Sequence, residues 1–64
     1  MKTKWALARP EDIRIGAEVR VPYEGRWKLA IVKEVNETYA LVRLKSKGWE
    51  CPVLWEDVKR KELR

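Results

Sequence analysis

AEVRVPYEGRWKLAIVKEV, residues 17–35, holds two strands and the turn between them. Ala17, Val19 and Val21 alternate with Glu18 and Arg20, the period of a strand with one apolar side. Glu24-Gly25 is a turn signal, because glycine supplies the left-handed conformation that tight turns need. Trp27 to Val35 then reads as a longer strand. Its centre, Leu29-Ala30-Ile31-Val32, is apolar at every position. Such a strand is either buried on both faces or bent so that its ends serve different sheets.

The pattern continues outward from there. Asn36-Glu37 reads as a hairpin turn. Tyr39 to Lys45 alternates again, with Ala40, Val42 and Leu44 on one side and Arg43 and Lys45 on the other. Lys47-Gly48 turns the chain into a fourth strand, Trp49 to Leu54. Pro52 has no N–H, which places that strand at a sheet edge or at a bulge. Glu56-Asp57 is a short turn, and Val58 to Leu63 is a last strand or a helical tail. Upstream, Pro10-Glu11-Asp12 reads as a single helical turn, with proline and acids at its start. Gly16 separates it from the first strand. Residues 1–9 show no period and read as a flexible tail, with Trp5 an apolar side chain able to fold back. Residues 10–64 read as one domain. Short strands at this spacing predict an all-β, five-stranded small barrel. Its expected core is Val19, Val21, Leu29, Ile31, Val32, Val42, Leu44, Val53 and Val58.

Composition narrows the function classes. The 64 residues suffice for one small domain and leave no room for a deep cleft, so a binding module is expected rather than an enzyme. One cysteine, Cys51, cannot close an internal disulfide; with no histidine a zinc site is not supported, the remaining carboxylates suiting harder ions, and a Ser–His pair is absent. No cofactor or metal is implied. The cysteine usage and the absence of an apolar leader favour a cytoplasmic site. Asparagine occurs once and glutamine never, beside abundant Lys, Arg and Glu, a bias that thermophile proteins share.

Fifteen Lys and Arg against ten Asp and Glu give a net charge of +5, an excess that favours polyanionic partners. Arg20, Arg43 and Lys45 occupy outward phases. Arg26 and Lys28 flank Trp27, and Lys47 lies two residues before Trp49. In meander order the Arg43–Lys45 row lies beside the Trp27–Lys28 strand. Tyr23, Trp27, Tyr39 and Trp49 are then available for stacking on bases while the cations meet phosphates. The ordinary alternative is a solvated face whose cations pair with Glu18, Glu24, Glu34 and Glu50, and tryptophans that fill the core, Trp55 first among them. The run Lys59-Arg60-Lys61, with Arg64, is a solvated end or an added set of phosphate contacts.

Ile15-Gly16, Val19-Arg20-Val21, Gly25-Arg26-Trp27, Ala30 and Val32 together resemble the opening of Tudor domains. Val42-Arg43-Leu44, Lys47-Gly48, Val53 and Glu56-Asp57-Val58-Lys59 resemble their later strands and closing turn. The resemblance covers about two-thirds of the chain and implies an SH3-like barrel, a fold that hosts many functions. It also implies an aromatic cage for a methylated cation. The cage positions fall near Val21, Lys28, Leu44 and Lys47, none of them aromatic and two of them cationic. A shift of one or two positions brings Tyr23, Trp27 or Trp49 there instead. The small chromatin proteins of archaea are a looser class analogy: compact, basic barrels on DNA. The expected function is nucleic-acid binding of low sequence specificity, with DNA ahead of RNA. The alternative is a protein-interaction module that takes a peptide.

Overall fold

The turn at Glu24-Gly25 sets the first hairpin. Both residues have positive φ, 52° and 75°, so the turn twists in the sense that neighbouring strands need. In the computed structural model, which describes residues 4–62, this hairpin joins β2 (Glu18–Tyr23) to β3 (Arg26–Val35). The meander continues through β4 (Tyr39–Leu44) and β5 (Glu50–Leu54). A 3₁₀ turn over Trp55–Asp57 then reverses the chain into β6 (Lys59–Glu62), which pairs with β2. A second 3₁₀ turn, Pro10–Asp12, precedes β2 as expected. The C-terminal segment, open between strand and helix in the sequence, is a strand.

Two features depart from the sequence reading. Lys4–Leu7 form a further strand, β1, paired along β6, where the sequence places a tail over 1–9. Among the described residues the sheet therefore has six antiparallel strands rather than five, in the order β1-β6-β2-β3-β4-β5, and it is not closed. Pairing with β1 satisfies the backbone edge of β6 that β2 leaves free. Such a gain depends on tertiary contact and leaves no period in four residues.

The second departure is the phase of β3. Ala30 and Val32 are fully buried, whereas Leu29 is 38% exposed and Ile31 half-buried. Leu29 and Ile31 thus leave the expected core. Register explains it: Ala30 lies between Val19 and Leu44, and Val32 lies opposite Val42, so these positions share the inner face. A register shift between Val32 and Glu34 releases Lys33 and bends the strand there.

The core that remains is Ala8, Ile13, Val19, Val21, Ala30, Val32, Ala40, Val42, Leu44, Trp55 and Val58, with Val53 and Cys51 packed against it. Each fully buried Val or Leu contributes roughly 1.5–3 kcal/mol. Trp55, the tryptophan expected inside, is buried, and its indole N–H donates to the Asn36 carbonyl at 2.7 Å. β5 lies at the sheet edge as Pro52 predicts. Leu44 N–H bonds to the Trp49 carbonyl. The alternation of an antiparallel ladder then turns Pro52 toward the open side, where its missing N–H blunts the edge. Among the described residues no helix is long and apolar enough to cross a membrane.

Candidate nucleic-acid interface

β3 presents Trp27, Leu29 and Ile31 outward at successive alternate positions, a ridge along the middle of the sheet. Trp27 is 45% exposed. Pro22 on β2 lies opposite Trp27 and is also exposed. Cations line both flanks. On one side Arg20 is opposite Leu29, and Lys59 of β6 is opposite Arg20. On the other side Arg43 is opposite Ile31, and Lys45 N–H bonds to the Leu29 carbonyl. Lys61, two residues beyond Lys59, shares its phase.

The long side chains lie down across the sheet. Lys59 crosses β2 to place its ammonium 4.2 Å from the centre of the Trp27 ring. Arg20 crosses β6 to sit 4.5 Å from the centre of Trp5. Lys45 crosses β3 to reach Glu18 at 2.8 Å, and Lys61 meets the other oxygen of the same carboxylate at 2.7 Å. Two ammonium groups on one carboxylate lower its pKa to about 2, Lys45 being the stronger influence. Each cation over a ring is attracted to the ring face beneath it.

The remaining expected residues fall elsewhere. Tyr23 and Trp49 meet edge to face, centroids 6.3 Å apart, at the rim where the β2–β3 hairpin and the β4–β5 turn come together. Lys47 lies 5.2 Å over Trp49, which is 57% exposed. Arg26 is opposite Tyr23, and Lys28 is opposite Val21, so both belong to this rim and not to the ridge. An open groove lined by Lys28, Leu29, Lys45 and Ser46 joins rim to ridge. Tyr39 is separate from both. It pairs with Leu54 at the far end of β4, on the outward side.

Of the expected cage positions, Val21 and Leu44 are fully buried core residues, so they cannot face a ligand. Tyr23 and Trp49 do meet, while Trp27 points to the outer face. Cys51 packs inward, and burial pushes its thiol pKa up, away from reactivity. Trp5 and Leu29, which the sequence reading does not place at the site, join the ridge face, and so do Lys59 and Lys61 of the basic run. Their shared location depends on the β1–β6 and β6–β2 pairings, for which the one local signal is the basic run at residues 59–61. Arg64 lies outside the described residues.

No protein-family model, no curated protein and no solved structure matches the chain.

Proposed function

We propose that this protein is a nucleic-acid-binding module of the SH3-like barrel type, with β1 added to the five strands of that fold. Duplex DNA is its preferred partner. One observation carries the reading: an outward apolar ridge, Trp27–Leu29–Ile31, exposed at Trp27 and Leu29, runs between Arg20, Lys59 and Lys61 on one flank and Arg43 and Lys45 on the other. A DNA groove offers the complement, two phosphate rails with stacked base edges between them. Lysine and arginine would neutralise phosphates on each rail. Trp27, with Leu29 and Pro22, would press on the bases or wedge between them, as apolar side chains do in minor-groove binders. Backbone contacts of this kind give little sequence preference. Protein binding is favoured less: Pro52 blunts the β5 edge against strand addition, and half of the cage positions are core.

The test is a salt titration with duplex DNA, single-stranded DNA and RNA. Four to five phosphate contacts give a slope of log K against log salt of about −4 with duplex DNA. Replacing Lys45 and Lys59 together by Ala should flatten that slope by about 1.8. A parent protein that binds none of the three at about 50 mM salt removes the reading, and one that binds peptides without salt dependence replaces it with protein recognition.

A further inference from the structure

Glu18 sits amid the cations and apolar side chains of the ridge, whereas Glu50, opposite Arg43, lies out at the β5 edge. Glu18 is on β2 opposite Ile31, in the middle of the sheet, and it engages two of the five outward cations at once. All three partners stay accessible, with side chains 26% exposed for Glu18, 50% for Lys45 and 45% for Lys61. Exposed ion pairs of this kind add little to stability. Stability alone therefore gives no reason for an acid here.

The geometry of the pair is more informative. Lys45 starts beside Leu29 on the β4 side, and Glu18 lies beside Ile31 on the β2 side. The lysine must cross β3 between those two positions of the ridge. Lys61 comes to the same carboxylate from β6, so Lys45–Glu18–Lys61 spans the outer face from β4 to β6. The two ammonium groups converge on two oxygens of one anion, a pattern that a phosphate oxygen pair reproduces.

From this we infer that Glu18 is a resident substitute for a backbone phosphate. In the free protein it holds Lys45 and Lys61 and lays Lys45 over the ridge. A nucleic acid must displace it, and the displaced carboxylate then repels the phosphates around it. Glu18 thus caps the affinity of the face and holds Lys45 and Lys61 to itself until a polyanion competes for both lysines. The inference rests on the nucleic-acid reading above. The contrary role, in which Glu18 aligns the lysines for phosphate, predicts an effect of opposite sign.

Duplex DNA binding by Glu18→Gln separates the two. At about 0.1 M salt one additional phosphate contact raises affinity about 8-fold. Glu18→Gln should bind at least that much tighter, with a steeper salt slope and a melting temperature only slightly lowered near neutral pH, as the loss of exposed ion pairs allows. Glu37→Gln changes the net charge equally but lies in the β3–β4 loop, away from the ridge. Screening over about 10 Å should hold its effect under about 2-fold. Glu18→Thr repeats the measurement with a residue suited to strands, should glutamine disturb β2. Equal or weaker binding by both folded Glu18 variants overturns the inference while leaving the nucleic-acid reading intact. A parent that binds no nucleic acid removes both.

Discussion

The outward faces of β3 and β5 are built alike and charged oppositely. Trp27, Leu29 and Ile31 alternate outward on β3; Pro52 and Leu54 do so on β5, beside Leu41 and Tyr39 of β4. Around the first set stand Arg20, Arg43, Lys45, Lys59 and Lys61. Beside the second, Glu34 is opposite Leu41, Glu50 precedes Pro52 on the same face, and Glu37 and Glu56 line a shallow groove with Leu54. The net charge of +5 is therefore a poor guide to the local field. A polyanion meets attraction on one side of a molecule 30 × 24 × 19 Å in extent and repulsion on the other, which orients its approach. Two apolar faces differ here in what they can bind because of their surroundings, not their own side chains.

The largest effect expected separates both faces from the interior. Leu44→Ala should cost about 2–5 kcal/mol, because Leu44 is fully buried and its loss leaves a cavity. Leu29→Ala and Leu54→Ala should each cost under about 1 kcal/mol, as half-exposed positions do. Denaturant unfolding of the three variants checks this. A loss at Leu29 equal to that at Leu44 would mean that β3 is buried on both faces, as one reading of its sequence allows.

That contrast marks how far the sequence could be read. Strict alternation placed Val19, Val21, Ala40, Val42 and Leu44 inside correctly, and Glu24-Gly25 and Pro52 told their turn and edge by backbone chemistry alone. β3 gave no such signal. Four consecutive apolar residues carry no phase, and the register shift at Lys33 is invisible until β4 pairs with it. The outward cations Arg20, Arg43 and Lys45 were legible for the same reason as the core. What alternation could not provide was the company they keep: Lys59, Lys61 and Trp5 arrive through strands more than thirty residues apart in sequence. Meander order groups Tyr23, Trp27, Tyr39 and Trp49 as one stacking set, because it gives neighbouring strands without showing which end or face of each strand a side chain occupies.

A sharper test of the two faces uses their aromatic residues. Trp27→Ala should weaken nucleic-acid binding by about 1–3 kcal/mol with the salt slope nearly unchanged, since stacking releases no counterions. Tyr39→Ala and Leu54→Ala, on the acidic side, should leave affinity within error. Fluorescence anisotropy at two salt concentrations distinguishes these outcomes. A comparable loss at Tyr39 would erase the distinction between the faces.

The smallest effect concerns Glu18, the acid in the middle of the cationic side. The pKa of Glu18 in the folded chain is about 2, below an unfolded value of about 4.3. A depressed carboxylate contributes stability above the unfolded pKa and loses it as pH falls through the folded one. The contribution is therefore present above about pH 4.3 and fades toward pH 2. Lys45 is the larger cause of the depression, so Lys45→Ala should raise the Glu18 titration midpoint and flatten the fall of melting temperature in that window. Lys28→Ala, which removes a rim lysine not paired with Glu18, should leave both unchanged. Carbon-13 shifts of the Glu18 carboxyl report the midpoint directly. A midpoint unmoved by Lys45→Ala would mean that Lys45 does not cross β3 in solution. The charged strap that distinguishes the β3 face from the β5 face would then reduce to a single pair with Lys61.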